Sequence, residues 1–290
     1  ALIDAVKRRG LDAEVLEYST ANRVRMCLPK AMNVSVIIPT DSAMLAEKCA
    51  RDLPAATDYT HAEFIIVTST GLIEQLRGLA EPISSRVRFV AFDLPFNFSA
   101  KCNAGAQMAG GERIIFLNDD VEAVQRDWIE NIIEPLQNQE IGAVAPKLLY
   151  PTGRIQHAGL VTGVRGFVGT AMHQWPGDSV DYTNFAQSMR TVSALSAACL
   201  AMRRADFLKL GGFDEVNTPI AHSDLDLCFK IREAGMRCVY TPFATMTHHG
   251  HVSIGAEKHT NDRVIDKSTI FLLQRWAEFT CHDPYYTNNM

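Results

Sequence analysis

Arg113-Ile114-Ile115-Phe116-Leu117-Asn118-Asp119-Asp120 is the stretch that decides how this chain folds. Four consecutive apolar residues with no polar alternation imply a strand covered on both faces, as in a parallel sheet. The same form recurs upstream. Val34-Ser35-Val36-Ile37-Ile38 ends at Pro39, Phe64 to Val67 runs into Thr68-Ser69-Thr70, and Val87 to Phe92 stops at Asp93. A helix is expected over 43–53, and turn-rich or helical intervals separate the other runs. That alternation predicts βαβ units and an α/β, doubly wound sheet flanked by helices.

In such sheets ligands bind beyond the carboxyl ends of the strands, so Thr40-Asp41, Thr68, Asp93 and Asn118-Asp119-Asp120 mark the expected site. Adjacent carboxylates at a buried strand end repel one another unless a cation or solvent compensates them. An oxygen-preferring metal such as Mg²⁺ or Mn²⁺ would do so. The tripeptide could also be no more than a turn and helix cap leading into 121–136.

Further along, Ser223 and Asp226 are spaced as a capping box and Gly235 as a helix end, predicting a helix over about 224–234. Asp224 then falls in its first turn, where the helix dipole favours the carboxylate. Cys238-Val239-Tyr240 reads as a short strand. His248-His249-Gly250-His251 lacks the partners of a closed zinc site, so one of these histidines is the better single metal ligand.

The 290 residues carry 28 Lys+Arg against 33 Asp+Glu, a formal charge of −5 that excludes a polybasic nucleic-acid binder. With 47% apolar and 21% charged residues the chain is expected to bury a sizeable core. No apolar run approaches the ~20 residues of a membrane-spanning helix. Seven cysteines without a CxxC pair argue against a disulfide framework and for a reducing cytosol. Residues 1–31 read as an N-terminal extension, the tail of a preceding segment, with a helix around Leu2, Ile3 and Val6 and a strand around Val15. The chain begins at Ala1, so it is expected to be cut from something longer. Residues 32–290 form the main unit, ending in a C-terminal helix.

Several ordered stretches together resemble the family 2 glycosyltransferases, inverting enzymes of GT-A-type fold that use nucleotide-sugar donors. They are Val34 to Thr40, Phe96-Asn97-Phe98-Ser99-Ala100 with Asn103-Ala104-Gly105, Phe116 to Asp120, Gly211-Gly212-Phe213-Asp214-Glu215, Asp224-Leu225-Asp226-Leu227 and the histidines near 248. The tail Asp283-Pro284-Tyr285-Tyr286 is similar to the ending of rhamnosyltransferase-like members that build bacterial surface polysaccharides.

The resemblance implies a GT-A-type mixed, mainly parallel sheet and a divalent cation, Mn²⁺ or Mg²⁺, on the donor diphosphate. Asn118-Asp119-Asp120 stands where the family carries its DxD motif, with Asp120 as direct ligand and Asp119 toward the ribose or sugar. His248, 24 residues after Asp224, is preferred over His249 as the second ligand. Asp224 would be the base. Pro39, Thr40, Asp41, Thr68, Lys101 and Asn103 would line the nucleotide pocket, and Trp175 and Asp214 the acceptor side. The donor would be a UDP-, dTDP- or GDP-sugar, and the acceptor a glycan or lipid-linked hydroxyl. Work in the cytoplasm is implied, with peripheral association at the inner face of the membrane open.

Family members usually end the second strand with an Asp that reads the nucleobase, and here Thr68 takes its place. Together with Asn118, this motivates the alternative of a catalytically silent nucleotide- or glycan-binding module on the same fold. A nucleotidyltransferase would need a Gly- and Arg/Lys-rich phosphate loop that Pro39-Thr40-Asp41-Ser42 does not provide.

Overall fold

The computed structural model describes residues 1–18, 21–29, 32–79, 83–164, 166–180, 184–250 and 266–286. The first elements are α1 (Leu2–Arg8) and the hairpin β1 (Ala13–Glu17) with β2 (Asn22–Met26). Then β3 (Val34–Pro39), α2 (Ala43–Ala55), β4 (Ala62–Thr68), α3 (Thr70–Arg77) and β5 (Val87–Ala91) alternate as the apolar runs predict. They lead through α4 (Phe98–Met108) to β6 (Arg113–Leu117). β3 is flanked by β4 and β6, both parallel to it.

The alternation of side chains along these strands fills two cores. Val34, Val36 and Ile38 with Ile115 and Leu117 face one side, whereas Ile37 with Ile114 and Phe116 face the other. Each such side chain contributes about 1.5–3 kcal/mol when fully buried. Helix α4 lies close on the second side because residue 105 is Gly. A Cβ there would come within 3.0 Å of Val67 Cγ2 and collide with Ile37.

The second half is less regular. It comprises β7 (Val121–Ala123), α5 (Trp128–Ile133), β8 (Ile141–Leu149), β9 (Ile155–His157) and the hairpin β10 (Leu160–Val164) with β11 (Phe167–Thr170). There follow β12 (Arg190–Val192), β13 (Cys199–Arg203), α6 (Arg204–Lys209), α7 (Ser223–Glu233), β14 (Arg237–His248) and α8 (Lys267–Arg275). The main sheet runs β12-β14-β8-β13-β6-β3-β4-β5. β13 is antiparallel to both β6 and β8, while β8 and β14 are parallel. The carboxyl ends of β3, β6, β8 and β14 therefore share one edge. β13 brings the residues just before it to that same edge.

Three local expectations change. Segment 121–136 is not one helix, because β7 first pairs with the end of β14 and α5 starts only at Trp128. β14 extends far beyond residues 238–240, passing Pro242 by a register shift between Thr241 and Thr245. The expected capping box does not form. The N-cap of α7 is His222, in the left-handed region at φ 63° and without a side-chain cap. Asp226 instead turns inward, accepting from Trp276 Nε1 at 2.8 Å and pairing with Lys230 at 2.7 Å.

The N-terminal extension packs against this unit. Arg23, 4% exposed, bonds Asn131 and Glu134 at 2.9 Å and lies 4.3 Å from the Phe243 ring centre. Near the other terminus, Asp283 accepts from Thr162 N at 2.8 Å and from the amides of Tyr285 and Tyr286, tying the tail to β10. Among the described residues no helix is long and apolar enough to cross a membrane.

Candidate active site

The shared edge opens into a cleft of about 740 Å³. Pro39, Thr40 and Asp41 reach it from β3, Asn118 and Asp119 from β6, and Ser196 to Ala198 from the segment before β13. Ala221 to Asp224 enter at the start of α7, His248 at the end of β14, and Phe96, Phe98 and Ile220 form an apolar lip.

On the β3 side the wall is built around a buried cation. Lys101, with no exposed surface, donates to Thr40 O at 2.9 Å and pairs with the half-exposed Asp41. The rings of Phe92 and Phe96 lie 5.7 and 5.5 Å from its ammonium, within cation–π range. Lys101 therefore fixes the turn after β3 from behind rather than lining the cleft.

Asp120 lies just behind Asp119, lining a neighbouring hollow of about 480 Å³ beneath α2. Its Oδ1 is 3.1 Å from His248 Nε2, and His248 Nδ1 faces Gln156 Oε1 at 2.5 Å. Burial works to raise the Asp120 carboxyl, yet the hydrogen bond and charge of His248 and nearby amides hold it below its ordinary value. Both ring nitrogens of His248 look at acceptors. Without a cation Nε2–H donates to Asp120; with Nδ1–H kept on Gln156, loss of the Nε2 proton would turn the Nε2 lone pair and the carboxylate oxygen toward one metal ion, the arrangement of an oriented ligand pair. Two neighbouring ligands of an octahedral cation about 2.1 Å away lie about 3 Å apart, so the spacing fits. Among the described residues no third His, Cys, Asp or Glu joins them. Remaining ligands would have to come from a bound diphosphate and water.

Across the cleft, Asp224 is half-buried at the start of α7. Its Oδ2 accepts from Ala197 N at 3.3 Å and its Oδ1 from Leu225 N at 2.9 Å. Burial pushes its carboxyl above the ordinary value, against the pull of His222 and these amides. The helix-dipole expectation of a readily ionised acid is thus outweighed by desolvation, and the result is a stronger base. The β6–β13 ladder joins the two walls and continues into the cleft through Asn118 N, which donates to Ala198 O at 2.9 Å.

Residues 35–211 match the family model described as glycosyl transferase family 2. The chain belongs to this family. It is 35% identical over 263 residues to the uncharacterized protein y4gI of Sinorhizobium fredii, covering 89% of this chain and 29% of that one. It is 34% identical over 262 residues to the O-antigen biosynthesis protein RfbC of Myxococcus xanthus, covering 89% of this chain and 20% of RfbC. The chain thus spans less than a third of the length of these two relatives. In fold it is similar to GalNAc-T7 solved with UDP, GalNAc and Mn²⁺, with a TM-score of 0.60 at 14% identity over 76% of this chain and 44% of that one. The GT-A fold and glycosyltransferase class that the motifs imply are therefore shown.

Besides Lys101 and Asp120, four further expected site residues of this family 2 chain lie away from the cleft. Asn103 spends its whole amide on the 211–215 turn, donating to Phe213 O at 2.9 Å and Glu215 Oε1 at 2.7 Å and accepting from Phe213 N at 3.0 Å. A Cβ at residue 212 would sit 2.6 Å from Asn103 Oδ1, which accounts for Gly212 at φ +69°. Asp214 accepts from Val216 N, Asn217 N and Asn217 Nδ2, closing its own turn. Trp175 is 49% exposed on the 172–176 turn, its backbone pinned to Ile155. Thr68 is fully buried at the end of β4, with no hydrogen-bond partner for Oγ1 among the described residues. His249 turns to Glu122 at 3.2 Å, and His251 lies outside the described residues.

The residues that sequence reasoning missed are Gln156, His157, His222 and the Ser196–Ala198 turn. No spacing rule marks them, because Gln156, His157 and the Ser196–Ala198 turn act through contacts tens of residues away and His222 through its place before Asp224. The polar pair Gln156-His157 directly after Ile155 was the one available signal.

Proposed function

We propose that this glycosyltransferase domain moves a sugar with inversion from a UDP-, dTDP- or GDP-sugar to a hydroxyl of a glycan or lipid-linked acceptor in cell-surface polysaccharide synthesis. The observation that carries this reading is a single cleft lined by Asn118, Asp119, Asp224 and His248 together. The relative named for O-antigen biosynthesis supports the polysaccharide assignment, and the Mn²⁺ and UDP named for the structural neighbour support the donor class.

Asp224 takes the proton from the acceptor hydroxyl as that oxygen attacks the anomeric carbon, and the bond to the nucleoside diphosphate breaks on the opposite face. A carboxyl raised by burial holds that proton more firmly than an exposed one, and such assistance is worth about 10²- to 10⁴-fold. The Ala197 and Leu225 amides keep the carboxylate aimed. Thr40 and Asp41, held by Lys101, border the nucleoside, and Asp119 faces the ribose or sugar. Asp120 and His248 would hold Mn²⁺ or Mg²⁺, which neutralises charge on the departing diphosphate. No covalent sugar–enzyme bond is needed, so one catalytic carboxylate suffices. The reaction belongs on the cytoplasmic side of the membrane.

The test is a thermal-shift screen of UDP-, dTDP- and GDP-sugars with and without Mn²⁺, followed by turnover with the donor that binds. Wild type should turn over, while Asp224→Asn and Asp120→Ala should not. Equal turnover in all three, or a donor that binds without turnover in wild type, would return the silent binding module to first place.

A further inference from the structure

Strand β9 has three residues, yet it touches both sides of the cleft. Gln156 meets His248, and His157 meets the turn that carries the amide bound to Asp224. His157 is 2% exposed, with Nδ1 3.3 Å from Pro146 O and Nε2 3.2 Å from Ser196 N. A carbonyl only accepts and a backbone N–H only donates, so Nδ1 carries the proton and Nε2 accepts. Burial pushes this imidazole down to about 4, against the Pro146 carbonyl and with help from the charges of Arg190 and His248. The ring is therefore neutral at physiological pH, and its one acceptor is spent on Ser196.

The turn held in this way has three further tasks. Ala197 N donates to Asp224 Oδ2 at 3.3 Å, Ala198 N to Ser196 Oγ at 3.3 Å, and Ala198 O accepts from Asn118 N at 2.9 Å. Displacing Ser196 would shift the donor that aims Asp224 and the carbonyl that anchors the Asn118 turn. Among the described residues the His157–Ser196 bond is the one hydrogen bond between the Ser196–Ala198 turn and β9.

We propose that His157 is a positioning residue for sugar transfer, its Nε2 clamping the Ser196–Ala198 turn so that Asp224 stays aimed at the acceptor hydroxyl. The inference rests on the transferase reading. The competing role is packing alone, since the ring also stands edge-on to Tyr240 with centroids 6.3 Å apart. Packing alone treats substitutes of similar size alike, whereas the clamp distinguishes them by reach.

His157→Gln and His157→Asn make that distinction. The Gln amide extends as far from Cβ as Nε2 and can accept from Ser196, whereas the Asn amide extends only as far as Nδ1. Expected for His157→Asn is a kcat for transfer lower by about 100-fold, the loss that follows a misplacement of about 1 Å, with donor KM unchanged. His157→Gln should restore most of kcat. Amide exchange of Ser196 should quicken in the Asn variant and stay slow in the Gln variant. Equal kcat losses in the two variants, or a loss confined to donor KM, would overturn the proposal. If the Asn variant does not fold, a folded Gln variant with slow Ser196 exchange and a 100-fold lower kcat overturns it alone. Absence of transfer in wild type would strike instead at the transferase reading, and Ser196 exchange, equal in both variants, would then refute the clamp separately.

Discussion

The two sides of the site, the hollow behind Asp119 and the far wall of the cleft, hold their acids in opposite ways. Asp120, against His248, is held below the ordinary carboxylate value, whereas Asp224, set into the start of α7, is pushed above it. In the proposed transfer, one side would keep a negative charge for a cation and the other a base for the acceptor proton. Environments that drive two carboxyls apart assign their roles before any ligand arrives. The β3 wall is made from regular parallel strands and one buried lysine. The opposite wall is made from a turn, a three-residue strand and a helix start.

The largest expected effect breaks the second wall alone. Asp224→Asn should lower transfer by about 10²- to 10⁴-fold while leaving donor affinity with Mn²⁺ intact, as measured by calorimetry and radiolabelled transfer. Asp120→Ala should lose transfer by another route, weakening Mn²⁺-dependent donor binding by about 100-fold, the upper range for loss of even an outer partner of a metal ligand. If Asp224→Asn also lost Mn²⁺-dependent donor binding, or Asp120→Ala kept it, the division between the walls would fail.

A smaller effect is expected at Lys101→Met. Loss of its bonds to Thr40 O and Asp41 should reduce donor affinity by about 10-fold, the lower range for a charge-assisted hydrogen bond, without changing kcat. The smallest effect concerns stability and its dependence on pH. Asp224 has its folded-state pKa raised, so its contribution is present while it is protonated and is lost as pH rises from the unfolded value through the folded one. Asp224→Asn should therefore raise Tm at pH 8, with the gain shrinking in acid. Asp120, lowered on folding, stabilises above its unfolded pKa and loses that contribution as pH falls through the folded value. Asp120→Asn should lower the metal-free Tm at pH 8. Differential scanning calorimetry across pH 4 to 8 would show both signs.

The regular wall was the legible one. β3 to β6 could be read because strands covered on both faces leave uninterrupted apolar runs, and Asn118 to Asp120 stood where such strands end. Asp224 was legible as a helix-start acid. Partners set by distant packing were not. Asp226 looked like a cap residue because its partner Trp276 is 50 positions away. Asn103 looked like a nucleotide contact, although its amide is consumed by the turn at Gly212 and Phe213. β14 looked short because Pro242 interrupts its pattern, a break the sheet absorbs by shifting register. Trp175 illustrates the limit of reading an aromatic by composition, since nothing in the chain says which way an exposed turn faces.

Arg23 bears on how this domain could be trimmed. A minimal fragment beginning at residue 32, where the first long strand is about to start, would discard the guanidinium that offsets Glu134. Burial already drives that carboxyl toward its neutral form, and Glu134 is only 2% exposed. Such a truncation would leave an unmatched acid inside the protein and bare the ring of Phe243. The β1–β2 hairpin that carries Arg23 is therefore part of the smallest piece that should stay folded.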